Sequence, residues 1–109
     1  MTVQQIVDEK NFNEKIQQDK LTLVDFFADW CAPCRQIAIV LSDLAAKGGD
    51  NYEICKIDID NEKNISIASK YMIASIPTVL FFKKGKLVHR FTGMQNEKAI
   101  QGMIDEYSV

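Results

Sequence analysis

Apolar positions along this chain change spacing several times, and each change marks an element. Val3 to Val7 reads as a short first strand. Asp8 suits a helix N-cap, with Phe12 and Ile16 following on one helical face. Leu21 to Ala28 is apolar at odd and even positions alike, as in a strand covered on both faces. From Pro33 the period becomes helical, with Ile37, Val40, Leu41 and Leu44 on one side until Gly48-Gly49 stops it. Tyr52 to Ile59 alternates as a strand, and Ile65 to Tyr71 forms a short helix. After Pro77, Thr78 to Phe82 is a strand, and Lys84-Gly85 turns the chain into another, Lys86 to Thr92. Ala99, Ile100, Met103, Ile104 and Tyr107 give the apolar face of a closing helix.

The predicted order is therefore β-α-β-α-β-α-β-β-α. Strands separated by helices pair in parallel, and the late hairpin adds antiparallel strands at one edge. The expected fold is α/β, a mixed sheet with helices on both faces. A length of 109 residues with no repeat or linker fits a single domain over 1–109, able to bury well over half of the unfolded surface. The hydrophobic and charged fractions, 47% and 26%, exclude disorder. A net charge of -2, with Lys and Arg scattered among the acids, leaves no basic footprint for nucleic acid or a membrane surface. Met1 to Lys10 lacks a signal-peptide profile, and the apolar stretches are too short to span a bilayer. A soluble intracellular protein is expected.

That expectation changes how the cysteines are read. There are three, two of them close together, which is a poor framework for stapling a fold. In a reducing compartment such a pair is catalytic or metal-binding more often than structural. Cys31-Ala32-Pro33-Cys34 sits between the doubly buried strand and the amphipathic helix. Proline favours a helix's first turn, so Cys31 falls beside unpaired N–H groups and the positive end of the helix dipole. Negative charge is stabilised there, which makes Cys31 the expected nucleophile. Cys34, nearly one turn further on, can attack a mixed disulfide on Cys31 and release the product. A structural zinc site would need four ligands, but only Cys55 and the lone His89 remain, with no second pair at ligand spacing. No metal is expected.

Asp25 is out of place in its strand. It shares a face with Leu23 and Phe27 while Val24 and Phe26 take the other, so either orientation buries it. Burial without a cationic partner raises a carboxyl pKa. Two readings stand: an aspartate satisfied by hydrogen bonds, or a proton acceptor for Cys34, reached directly or through water. Cys55 alternates with Ile57 and Ile59 and reads as a buried inert thiol. His89 is expected on an exposed strand face, without a role.

Val24-Asp25-Phe26, Ala28-Asp29-Trp30-Cys31-Ala32-Pro33-Cys34-Arg35, Ile76-Pro77-Thr78 and Gly93 together resemble the motifs of the thioredoxin family, in order and across essentially the whole chain. The resemblance implies a thioredoxin fold, with a central mixed five-stranded sheet flanked by four helices. It implies a protein-disulfide reductase with a reversible Cys31–Cys34 disulfide and no bound cofactor. NADPH and flavin would act only through a thioredoxin reductase. The partners would be that reductase and disulfide-containing target proteins, met by a cytoplasmic monomer. It assigns Asp25 as proton acceptor, places Lys56 near that carboxylate, and makes Pro77 a cis-proline facing the cysteines. A cis bond there would free the Ile76 backbone to pair with an extended substrate. Trp30, Ala32, Pro33, Ile76, Pro77, Thr92 and Gly93 would then form the docking groove.

Departures from the family pattern fall around the chemistry. Ala32 replaces the usual glycine, Ile39 a proline that often kinks the active-site helix, and Phe27 a second tryptophan. Met72 and Ser75 stand where glycine is frequent near the groove. An oxidase or isomerase on the same fold is the main rival; Ala32 and Pro33 add no charge between the cysteines, and Ile76 matches the reductase type. A non-enzymatic adaptor would have no need for both cysteines and Asp25 together.

Overall fold

The computed structural model describes residues 2–109. Five strands, β1 (Gln4–Ile6), β2 (Leu21–Phe27), β3 (Tyr52–Asp58), β4 (Thr78–Lys83) and β5 (Lys86–Thr92), form one sheet in the order β1-β3-β2-β4-β5. β1, β3 and β2 are mutually parallel, whereas β4 and β5 run antiparallel to their neighbours. The helices are α1 (Glu9–Ile16), α2 (Ala32–Gly48), α3 (Ile65–Lys70) and α4 (Glu97–Tyr107), with a single 3-10 turn at Glu62–Asn64 before α3. This is the thioredoxin fold that the resemblance implied, and every element expected from the pattern is present within a residue or two.

Alternation along the central strands divides the core in two. Leu21, Leu23, Ile54, Val79 and Phe81 pack against Ile37, Leu41 and Leu44 of α2 and Ile100 and Ile104 of α4. Val24, Phe26, Ile57, Leu80 and Phe82 pack on the other face with Phe12 and Ile16 of α1 and Ile67 of α3. Each such side chain, fully buried, contributes about 1.5–3 kcal/mol against the entropy of ordering the chain. Coverage on both faces explains why β2 is apolar at odd and even positions alike, with Thr22 and Asp25 its two polar residues. Among the described residues no helix is long and apolar enough to cross a membrane.

Local chemistry sets the ends of the elements. The Asp8 carboxylate accepts the Asn11 N–H at 2.8 Å and starts α1, and Asn96 starts α4 in the same way at Ala99. Lys84 and Gly85 both adopt positive φ, the backbone of a tight two-residue hairpin turn between β4 and β5. Helix α3 ends differently. The Met72 N–H bonds to the Ser69 carbonyl and the Ile73 N–H to the Ala68 carbonyl, while Met72 takes φ +52°. That is a Schellman closure with methionine at the left-handed position that glycine usually fills. A side chain in that conformation costs about 1 kcal/mol.

One expectation needs correcting. His89 is half-buried rather than on an open face: its ring stacks on Tyr107 at 4.8 Å and meets Phe81 edge-on at 5.2 Å. Tyr107, at the end of α4, folds back over β5 and supplies the cover that strand alternation alone does not reveal.

Candidate functional site

The β2–α2 junction carries the cysteines. Cys31 is the N-cap of α2, and its sulfur accepts the Cys34 N–H at 3.2 Å, so sulfur does what a serine or aspartate oxygen does at other helix starts. Pro33 lies in the first turn, where a missing N–H costs nothing. Cys31 and Cys34 are joined as a disulfide, and both are buried against Ala28, Phe27, Ile59 and Ile76. The Cys31 sulfur lies 3.9 Å from the Ile76 carbonyl oxygen. The Ile76–Pro77 peptide is cis, and among the described residues the Ile76 N–H has no hydrogen-bond partner.

The other residues expected in a docking groove lie at the β2–α2 junction, just before β4 and at the end of β5. Trp30 is 68% exposed, and its indole N–H donates to Asp60 Oδ2 at 2.9 Å, which fixes the ring against the loop after β3. Ala32 and Pro33 are exposed beside it. Pro77 is buried, and its carbonyl accepts the Gly93 N–H at 2.8 Å. Gly93 has φ +89°, a backbone that side chains rarely adopt. Thr92 pairs across the ladder with Thr78, their hydroxyls 3.1 Å apart, and Thr78 also donates to the Ser75 carbonyl.

Behind the cysteines lies the polar part. Asp25 is 3% exposed, and its Oδ1 is buried without a hydrogen-bond partner. Burial pushes its carboxyl up to about 7, opposed by the positive charge of Lys56. Lys56 stands directly opposite Asp25 in the β2–β3 ladder, with its ammonium 5.6 Å from the Phe27 ring centre. A cleft of about 210 Å³ is lined by Asp25, Cys34 and Lys56 together, and a second of about 260 Å³ reaches Asp25 and Lys56 from the Ser42 side. Cys34 thus shares a solvent-sized space with a carboxyl that titrates near neutrality.

Cys55 sits apart. It is fully buried on β3, 3.4 Å from Glu53 Oε2, and burial together with the Glu53 charge pushes its thiol up to about 12. Glu53 is held by Lys15 at 2.8 Å and Lys20 at 3.6 Å. Cys55→Ala will leave disulfide reduction unchanged and cost about 1–2 kcal/mol in a urea titration, through one lost sulfur and a lost hydrogen bond. A still-folded variant with much lower turnover would give this thiol a part in the reaction. Among the described residues no group of three or more His, Cys, Asp or Glu is arranged to hold a metal ion.

Sequence reasoning missed two features of the site. Asp60 lies in an acidic turn like many others, and nothing in its neighbours signals the bond to Trp30. Met72 was visible only as a departure from glycine; its conformation and exposure came from the structure.

A helix-capping Cys-x-x-Cys pair, at the end of a central strand and facing a cis-proline, defines a thiol–disulfide oxidoreductase. The thioredoxin family profile matches residues 3–106. A thioredoxin of Staphylococcus haemolyticus is 40% identical over 101 residues, spanning 93% of this chain and 94% of that protein. One from Mycolicibacterium smegmatis is 37% identical over 95 residues, 87% of this chain and 85% of the relative. The crystal structure of a Malassezia sympodialis thioredoxin superposes with a TM-score of 0.88 at 30% identity, covering 99% of this chain and 92% of that one. The chain belongs to the thioredoxin family. It is a protein-disulfide reductase that works by dithiol–disulfide exchange through a redox-active disulfide, and its partners are in general a reductase and disulfide-bearing targets.

Proposed function

We propose that this protein is a monomeric, single-domain cytoplasmic electron carrier in which Cys31 attacks and Cys34 resolves. The Cys31 thiolate attacks one sulfur of a target disulfide, forming a mixed disulfide and expelling the other target sulfur as a thiolate. Asp25 takes the proton from Cys34 through the shared cleft, and Lys56 tunes that carboxyl. The Cys34 thiolate then attacks the Cys31 sulfur and releases the second target sulfur. The target gains two electrons, and the Cys31–Cys34 disulfide re-forms. The backbone of Ile76 pairs with the target segment, while Trp30, Ala32, Pro33, Pro77, Thr92 and Gly93 border it.

The observation that carries this reading is the division of the pair: Cys31 caps the helix beside Ile76, and Cys34 lines the cleft that holds Asp25. The chemistry supports a cytoplasmic location, since a dithiol carrier works where thiols are kept reduced. A flavin-containing thioredoxin reductase would return the pair to the dithiol with electrons from NADPH.

The test is NADPH consumption in a mixture of this protein, a bacterial thioredoxin reductase and a protein disulfide. Consumption is expected only with all three present, rising with the concentration of this protein. No consumption, with the pair shown to be reducible by dithiothreitol, would remove the carrier role. Sedimentation of the reduced protein checks the monomer.

A further inference from the structure

The segment that carries Ile76 runs from the end of α3 at Lys70 to the start of β4 at Thr78, without regular structure. Strand β5 braces its far end: the Gly93 N–H donates to the Pro77 carbonyl at 2.8 Å, and the Thr92 and Thr78 hydroxyls meet at 3.1 Å. The near end is held from the same strand. Arg90 stands opposite Leu80 in the β4–β5 ladder, on the face that α3 covers, and its Nη1 donates to the Tyr71 carbonyl at 2.8 Å. Among the described residues this is the guanidinium's one hydrogen bond, and Arg90 joins no ion pair. A half-buried cation is thus committed to the first carbonyl of the loop.

Tyr71 is the C-cap of α3, where a carbonyl lacks an N–H from the helix and the negative end of the dipole favours a cation. The next residue, Met72, has φ +52°, a backbone that a side chain keeps only when its surroundings fix it. The Met72 side chain is 79% exposed and brings little packing of its own. What holds the closure is therefore Tyr71. Its ring meets Phe82 edge-on at 5.4 Å, and Arg90 takes its carbonyl. From that fixed point the chain reaches Ile76, whose carbonyl oxygen lies 3.9 Å from the Cys31 sulfur.

We propose that Arg90 is a positioning residue for disulfide reduction. By holding the Tyr71 carbonyl it fixes the entry to the loop before β4, and so sets where the Ile76 backbone meets a target polypeptide attached at Cys31. Its hydrogen bond goes to the loop and not to either cysteine, so its effect falls on docking rather than on electron transfer. An extended target pairs through its own backbone, and hydrogen bonds of that kind weaken steeply with displacement or misalignment. The proposal rests on the reading of the Ile76 backbone as the pairing edge for targets.

The experiment compares Arg90→Met, which keeps an unbranched stem and loses the donor, with Arg90→Lys, which keeps a cation that can donate. For a protein disulfide, Arg90→Met should raise KM about five- to tenfold and leave kcat within about twofold of the parent. A small aromatic disulfide, which has no backbone to pair, should be reduced at the parent's rate. Arg90→Lys should bring KM for the protein disulfide back to within about twofold of the parent. Hydrogen exchange gives a readout independent of turnover: in Arg90→Met the Ile73 N–H, bonded to the Ala68 carbonyl, should exchange about tenfold faster, with Ile57 in β3 unchanged. A parent-like KM in Arg90→Met, an equal loss on both disulfides, no rescue by lysine, or unchanged exchange at Ile73 overturns the role. The pairing reading is judged apart, in a mixed disulfide between Cys34→Ser and a target peptide, where the Ile76 N–H should exchange more slowly than in the free variant. No slowing there would overturn the pairing, whereas a null result confined to the Arg90 variants overturns only the anchor.

Discussion

Cys34→Ser will stop the reaction halfway, with the target left covalently attached to Cys31. The variant keeps the attacking thiol and loses the one that releases product, so a mixed disulfide should accumulate and survive a non-reducing gel. Cys31→Ser should form no such adduct. Turnover in both should fall by at least about a thousandfold, because each removes a group without which the cycle does not close. A limiting amount of alkylating agent should label Cys31 of the reduced parent ahead of Cys34 and Cys55. An adduct on Cys31→Ser, or first labelling at Cys34, would exchange the assigned roles.

The second large effect lies at Asp25, where stability and chemistry pull in opposite directions. Its carboxyl is held near 7 in the folded protein and has an ordinary value of 3.8. Between those values the folded state binds the proton that the unfolded state has lost, so this residue's contribution to stability declines as pH rises. Below 3.8 there is no penalty, and above about 7 the full cost of a buried carboxylate persists. The gap corresponds to roughly 4 kcal/mol as a ceiling. Asp25→Asn should therefore be more stable than the parent at pH 8 by about 2–4 kcal/mol and nearly equal to it at pH 4. The same change should slow disulfide exchange at pH 8 by at least about tenfold, since Cys34 loses its proton acceptor. Urea titrations at both pH values, run beside a turnover assay, decide it. An Asn variant that is destabilised at pH 8, or that turns over like the parent, would remove Asp25 from the mechanism.

What could be read in advance depended on how local the cause was. The Asp8 cap, the doubly buried β2 and the Lys84-Gly85 hairpin are each written within a few residues, and each appeared where expected. Asp25 was legible because no strand register could leave it in water. The stacking of His89 on Tyr107 was not, since it joins β5 to the end of α4 and needs the tertiary fold to bring the rings together. Helix α3 was foreseen, but its closure was not, because methionine sits where glycine would have announced the turn. The cysteine pair was plain from spacing and context. The expected division of roles also came from helix position, while the cleft that Cys34 shares with Asp25 and Lys56 is a three-dimensional object with no linear signature.

The disulfide closes a loop with a sequence separation of only 3, at the cap of a helix whose strand is already held on both faces. Opening so small a ring releases less chain entropy than opening a long one. Charged and spent forms of the carrier are then expected to present nearly the same face to the same partners and to compete with each other. Binding strength alone does not tell a client whether a visitor brings electrons or has come to collect them. Direction must come from mass action, set by how fast the reductase refills the dithiol pool relative to how fast targets drain it. A cell could therefore change the flux through every client at once by changing the ratio of the two forms, with no alteration of the groove itself.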